Sequence, residues 1–531
     1  MKKSIVYTII IFSFFSFTGC SDFLEEDNLG GVANEDFYST ISGYNTLKTS
    51  TYAQLRALYR GTPILELDGT DLYLKGYGVN SNYADYNFEA NASAVMNLYR
   101  GCYTGIQYAN AGLYFINRPA LLTEADKIVT EAELRFLRAF YHFLLVEQMG
   151  GVVINAEYTN SVRLSIPRST LEESYQFIIS EMEAVLPNLK TAAQAVAGQV
   201  NQDVANHYLA KVYLTRGWDL GSDADFTTAI SYADQVITTK GGITQSFANV
   251  WDPTKENNQE FIFSVQFSNA TGAIGNAQND GNSQCALYAS YSGGSTGTTI
   301  LRKQTAQGYL PVHAVYMNFT PNDKRYQTTF MPFLLNNYHN YYTASTWANE
   351  RVRMYFPRLY TDNVTFTQAD FDAWKAQLTA QGLTAASNIY MYPITNNQAY
   401  YLSQVYGQIQ GVTNKDERLP VVRKFDDLQN AAGTTQSRTA SMRDVVLARL
   451  AETYFMKAEA QIALGLYTDA ANTVQIVINR PGNKINPAGA DLPNRLVGQT
   501  TEQGALEALL VESGLEQFGE FNGRWQLLRR T

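Results

Sequence analysis

The chain runs to 531 residues, 45% hydrophobic and 17% charged, with a net charge of −9. That balance describes a folded body with ample core, sized for one large domain or two to four ordinary ones. No basic stripe runs through it, so nucleic acid and anionic lipid surfaces are poor partners, and three cysteines are too few for a disulfide scaffold.

Lys2 and Lys3 precede an apolar run from Ile5 to Phe17, and Gly19 precedes Cys20. A basic start, a short apolar stretch and a small residue before the cut predict a secretory signal over residues 1–19, too short to span a bilayer. The cysteine at the cut resembles a bacterial lipoprotein signal, with Phe17 where Leu is usual. That resemblance implies that Cys20 becomes the first mature residue and carries lipid. Residues 20–40 then read as a tether, acidic at Glu25-Glu26-Asp27 and loosened by Gly30-Gly31.

A helix is expected from about Ser42 to Leu58. The stretch Asp68 to Asn97 reads as loop, with Tyr73, Tyr77, Tyr83 and Tyr86 set among Asn, Asp and Gly. Glu131 to Met149 is a helix apolar on most sides, with Leu134, Leu137, Tyr141 and Leu145 on one face and Phe136, Phe140 and Phe143 beside it. Such a helix is buried within a larger bundle, and Gly150-Gly151 stops it. Thr170 lies three residues before Glu173, a capping-box spacing, and that helix ends near Leu186-Pro187. Asp203–Trp218 and Phe226–Thr238 form a helical hairpin.

The texture changes between about residues 241 and 439. Glu260 to Phe267 alternates like a strand. Asn269 to Thr299 is rich in Gly, Asn and Ser, and rings follow at Tyr288, Tyr291, Tyr309, Tyr316, Tyr326, Tyr341, Tyr342 and Trp347. Long loops in a compact protein are usually functional or disordered, and their aromatic content argues against disorder. A second hairpin follows, Asp444–Leu464 and Tyr467–Asn479. Its junction Leu464-Gly465-Leu466-Tyr467, with small Ala470-Ala471 after it, resembles the tetratricopeptide helix–turn–helix unit.

Catalytic and metal signatures are weak. The four histidines, His142, His207, His313 and His339, have no partner at metal-ligand spacing. Gly293-Gly294-Ser295-Thr296-Gly297 matches a nucleophile elbow but lacks the strand before it and the helix after it. Gly76-Tyr77-Gly78 lacks the third glycine of a dinucleotide loop, and Asn279-Asp280-Gly281 lacks the later glutamate of a calcium loop. No cofactor and no metal is expected. Cys102 and Cys285 read as two buried free thiols, with a single disulfide between them as the alternative.

Taken in order, these segments resemble the SusD/RagB family of outer-membrane nutrient-binding lipoproteins of Bacteroidetes. The resemblance rests on Cys20-Ser21-Asp22-Phe23-Leu24, on Glu131 to Tyr141 with Gly150-Gly151, on Val204 to Tyr213 and on Glu260 to Phe267. It continues through Arg449-Leu450-Ala451-Glu452 to Ala460 and the closing Phe521-Asn522-Gly523-Arg524-Trp525. Glu512-Ser513-Gly514 departs from the usual Glu-Arg, and the chain stops at Thr531 where members usually continue. The resemblance implies a mainly α fold, in which tetratricopeptide-like hairpins form a scaffold and a loop-rich variable region carries a few short strands. Within a single body over 41–531, the scaffold is expected at about 41–60, 100–240 and 440–531, and ligand-binding loops at about 61–99 and 241–439. Members act as cell-surface lipoproteins of the outer membrane that capture oligosaccharide, or in some branches peptide, for a SusC-like TonB-dependent transporter. They are not enzymes.

Sugar rings offer apolar C–H faces to aromatic side chains, and Asn, Asp, Gln and Arg take up their hydroxyls. Tyr77, Tyr83, Tyr86, Tyr288, Tyr291 and Trp347 are therefore the candidate ligand-binding rings. Two alternatives stay open: a peptide ligand, and a helical-repeat scaffold that binds only protein.

Overall fold

Thr40 starts the helical frame by accepting a hydrogen bond from the Gly43 amide, 3.0 Å away, at the head of α1, Ile41–Tyr59. The computed structural model describes residues 34–61, 63–76, 82–120, 122–159, 165–267, 281–288, 309–335, 340–343, 351–406, 418–427, 441–521 and 523–531. α2, Ser93–Phe115, packs between α1 and α3, Glu124–Met149. Glycine makes the second contact close: a Cβ at Gly105 would lie 2.5 Å from the Tyr141 ring and one at Gly112 2.7 Å from Leu134.

Helix α3 begins two turns before the expected Glu131, capped by Thr123, whose hydroxyl accepts from the Asp126 amide at 3.1 Å. Its first turns, with Glu124, Asp126 and Lys127, are polar, so they show no apolar period. α4, Leu171–Val185, carries the expected capping box: Thr170 accepts from the Glu173 amide at 3.1 Å and Glu173 from the Thr170 amide at 2.8 Å. The hairpin α5, Gln202–Leu220, and α6, Asp223–Lys240, also forms as expected.

Two further helices, α7, Gln368–Ala380, and α8, Gln398–Tyr406, precede the second hairpin, α9, Leu450–Ala463, and α10, Tyr467–Ile478. More than 200 residues separate the two hairpins in the chain, yet α6 packs directly on α9. α11, Glu502–Glu516, lies on the same helix α9. Ala210, Ala229, Ala233 and Ala460 line the seam between the hairpins, and their small side chains let the helices approach. The fold is mainly helical, as the hairpins lead one to expect.

The strands are short. β1, Tyr73–Lys75, pairs with β3, Tyr309–Pro311, and β2, Phe261–Val265, pairs with β9, Val445–Arg449, both antiparallel. β9 corrects the sequence reading, which ran a helix from Asp444. All five of its residues are buried, and it opens with β-branched Val445 and Val446. β4, Phe330–Met331, pairs with β8, Val421–Val422. β5, Phe333–Leu335, β6, Arg351–Tyr355, and β7, Thr384–Met391, form a three-stranded sheet. With Trp374 and Leu378 of α7 this sheet forms a second hydrophobic cluster that the loop-like texture of this region conceals.

The tyrosines explain themselves in the packing. Tyr316, Tyr326 and Tyr341 are buried, and so are Tyr44 and Tyr141. The Tyr316, Tyr44 and Tyr141 hydroxyls reach backbone carbonyls that irregular segments and packed helices leave free. Tyr316 donates to Pro420 at 3.2 Å, Tyr44 to Gly112 at 3.1 Å and Tyr141 to Thr51 at 2.6 Å. Cys102 and Cys285 are buried free thiols, as read from their number.

A buried ionic cluster ties the return strand to the C-terminal helices. Glu516 meets Arg449 at 3.0 Å, Arg480 at 2.8 Å and Arg325 at 3.2 Å. Burial opposes its ionisation, but Arg480, Arg449 and Arg325 outweigh burial and hold the carboxyl down at about 2. Lys211 and His207 likewise outweigh burial and hold Glu452 at about 2. Each folded-state value lies below the ordinary 4.5. The stability these groups contribute is therefore complete above that pH and is lost as pH falls from 4.5 towards 2. We expect the urea midpoint to drop steeply between pH 4.5 and 2.5 as these carboxylates take up protons. A midpoint that is flat over that interval would mean that these carboxylates are not paired.

Candidate ligand-binding site

Beyond α1 the chain makes one helical turn, Ile64–Leu67, and the C-terminal helix Arg524–Arg530 packs on it. Arg524 fixes that contact. Its guanidinium grips Asp71 at 2.8 and 2.6 Å and donates to the Leu510 carbonyl at 3.0 Å. Between this pair, the first turn of α2 and the last turn of α3 lie two adjoining cavities.

The smaller, about 160 Å³, is walled by Tyr83, Tyr86, Phe88 and Trp525, with Asp68 among its lining residues. The larger, about 390 Å³, lies between Leu58, Leu98 and Leu144 and carries Glu66, Asn97, Gln148 and Gln526. Ile64, Leu65 and Gln148 line both, so the two form one cleft. Its size and its mixture of apolar walls and few polar groups suit a small-molecule site.

The two tyrosines are held from behind. The Tyr83 hydroxyl accepts from the Ala94 amide at 3.0 Å. It thereby caps α2, whose N-cap Ala92 has no side chain able to do so. Its ring lies 4.9 Å from that of Phe88. Tyr86 is one of two non-glycine residues with positive φ among the described residues, at 53°. Its hydroxyl donates to the Gly69 carbonyl, and its ring passes 3.0 Å from where a Gly69 Cβ would stand. The ring stays 66% exposed. A tyrosine held in this backbone region is strained by about 1–3 kcal/mol, and such strain collects at functional sites.

Glu66 forms the acidic part of the larger cavity. Burial lifts its carboxyl to about 7, against the pull of Lys211. Its Oε2 has no hydrogen-bond partner, nor has Oε1 of the buried Gln526. Across the cleft Asp68 holds the Tyr309 hydroxyl.

Of the sequence candidates, the cleft brings together Tyr83 and Tyr86. Tyr288 lies elsewhere and is 1% exposed. Its ring packs on Tyr73, Phe425 and Phe518, and its hydroxyl donates to Gly519 at 2.8 Å, so no face is open to a ligand. Tyr77, Tyr291, Trp347 and Cys20 lie outside the described residues, as do the Gly293–Gly297 motif and His339. Sequence reasoning did not single out Phe88, Glu66 and Trp525, which line the same cleft. Trp525 stands in a closing segment of otherwise basic and aliphatic character, and that lone indole is the signal available.

His142 and His207 are core residues: His142 Nδ1 lies 2.8 Å from the Arg138 carbonyl and His207 Nδ1 2.8 Å from the Thr453 hydroxyl. Among the described residues no group of three or more His, Cys, Asp or Glu is placed to hold a metal. None of their helices is long and apolar enough to cross a membrane.

A hairpin frame with a lined cleft at its end defines a helical ligand-binding scaffold. The chain belongs to the SusD family, whose model matches residues 199–531. A second model, described as starch-binding and associating with the outer membrane, matches residues 65–214 and so takes in most of the cleft. SusD-like protein P25 of Formosa agariphila is 24% identical over 292 residues, 50% of this chain and 52% of the relative. Starch-binding protein SusD of Bacteroides thetaiotaomicron is 23% identical over 158 residues, 29% of this chain and 28% of the relative. The matched segments thus span about half of the first relative and less of the second.

Among solved structures, a SusD homolog from Bacteroides thetaiotaomicron superposes with a TM-score of 0.67 at 18% identity, covering 94% of this chain and 87% of that one. A laminarin-binding SusD-like protein gives 0.62 at 19% identity, covering 92% and 91%. Surface glycan-binding protein A from Bacteroides thetaiotaomicron, in complex with laminarihexaose, gives 0.58 at 15% identity, covering 92% and 90%. These likenesses show the fold.

Proposed function

We propose that this chain is a cell-surface lipoprotein, anchored through Cys20, that captures an oligosaccharide and passes it to a TonB-dependent outer-membrane transporter. The observation that carries the reading is the cleft wall of Tyr83, Tyr86, Phe88 and Trp525 beside Glu66, Gln148 and Gln526. Rings stack on sugar faces while the polar groups meet hydroxyls. Each stacking contact contributes about 1 kcal/mol, so several act together against the cost of ordering a flexible chain. Two solved relatives of this fold are described as binding laminarin or laminarihexaose, which supports a glycan ligand. The ligand is held and released unchanged, so the protein is a carrier and not an enzyme.

Calorimetry on the chain from residue 21, with laminarihexaose, maltohexaose and a tryptic peptide pool, tests this. Saturable heat with a hexasaccharide, and an unchanged product profile after overnight incubation, is the expected result. Heat with the peptide pool alone would move the ligand to the peptide class. Shortened sugars would make the protein a hydrolase.

A further inference from the structure

The larger cavity has a chemical bias that selects among glycans. Glu66 and Gln526 line it, and each carries a buried acceptor oxygen that no donor meets just behind the wall. Buried acceptors without donors are rare and costly, and a turn of either side chain into the cavity lets a ligand supply the donors. Sugar hydroxyls and amines donate, whereas carboxylates and sulfates only accept.

The charge around the cavity points the same way. Residues 61–92 carry five acids, Glu66, Asp68, Asp71, Asp85 and Glu89, against the single base Lys75, and Arg524 of the C-terminal helix pairs with Asp71 at 2.6 Å. Lys75 is tied to Asp85 at 2.7 Å. Arg60 also lines the larger cavity but is exposed, where water screens it. Behind Glu66 stand Lys211 from α5, Glu147 from α3 and Glu452 from α9. Lys211 pairs with Glu452 at 3.1 Å, and Arg530 from the C-terminal helix pairs with Glu459 at 2.9 Å. Acids outnumber bases in this group, and an anionic ligand would meet net repulsion in a poorly screened place.

Resting on the glycan reading above, we infer that the larger cavity receives a neutral or amino sugar unit rich in hydrogen-bond donors, and that it excludes uronate and sulfated glycans. The aromatic wall holds the following units of the chain. Apolar Leu58, Leu98 and Leu144 pack against the ring faces of the unit inside.

The test titrates the chain from residue 21 with laminarihexaose, a chitosan hexamer and an alginate hexamer at low salt. Laminarihexaose or the chitosan hexamer should bind at least tenfold more tightly than the alginate hexamer. Glu66→Gln keeps an acceptor and removes the charge, so the preference should narrow at least threefold. If that variant fails to fold, the wild-type chain still decides. Its preference should narrow between pH 8 and pH 6, as Glu66 takes up a proton while the uronates stay ionised. Equal binding of all three hexamers, or a preference unmoved by both the variant and pH, would overturn this inference and leave glycan capture standing. Binding of no glycan would overturn the glycan reading and this inference together.

Discussion

Arg449→Met should lower the stability of the folded chain by about 3–5 kcal/mol, the range for removing one partner of a buried ion pair. Arg449 is 1% exposed. Its guanidinium lies 2.9 Å from Glu260, 3.0 Å from Glu516 and 2.6 Å from Glu520, and it also donates to the Glu516 carbonyl at 2.9 Å. Methionine fills much of the space but leaves the three carboxylates to Arg480 and Lys424, with Arg325 reaching Glu516 alone at 3.2 Å. Lys424 meets Glu520, and Arg480 meets Glu260 and Glu516. Arg449 ends β9 and precedes α9, so its loss also loosens the return strand from α11. The measurement is the urea midpoint, set beside Lys255→Ala. The Lys255–Asp252 pair is solvent-exposed on the lysine side, and pairs of that kind contribute below about 1 kcal/mol. Equal midpoints for the two variants would mean that the cluster does not hold the strand.

Local signals explain what the sequence disclosed of this fold. The Thr170–Glu173 capping box and the Gly465 turn act over a few residues, and so they read correctly. β9 did not, because Val445 to Arg449 satisfies helix and strand periods alike over so short a run. Its partner β2, which decides the matter, lies about 180 residues earlier.

The cleft divides in the same way. Tyr83 and Tyr86 stood out by loop composition. Trp525 and Gln526 reach the same cleft from the opposite end of the chain, held there by tertiary contacts such as the Arg524–Asp71 grip and the Arg530–Glu459 pair. Tyr288 and Tyr86 are alike in sequence context. They differ in what their hydroxyls find: Tyr288 meets Gly519 inside an aromatic cluster, and Tyr86 meets Gly69 at the surface. Composition marks a tyrosine as amphipathic, and tertiary partners decide which end faces water.

The same distinction sets the second large effect. Tyr86→Ala combined with Trp525→Ala should weaken laminarihexaose binding by about 30-fold, from about 1 kcal/mol of stacking lost at each ring. Each single substitution should cost about fivefold, because the rings line the smaller cavity and serve different parts of one sugar chain. Tyr86 already exposes most of its ring, so its loss should leave the urea midpoint within about 1 kcal/mol of wild type. Tyr288→Phe makes the contrasting control. It removes one of the two donors to the buried Gly519 carbonyl, which Gln284 Nε2 still reaches at 3.1 Å, so it costs about 0.5–1.5 kcal/mol of stability, and it should leave the hexasaccharide affinity unchanged. If the double variant binds like wild type while Tyr288→Phe loses affinity, the sugar lies against the aromatic cluster under Gly519, and the cleft between α2, α3 and the C-terminal helix is not the binding site.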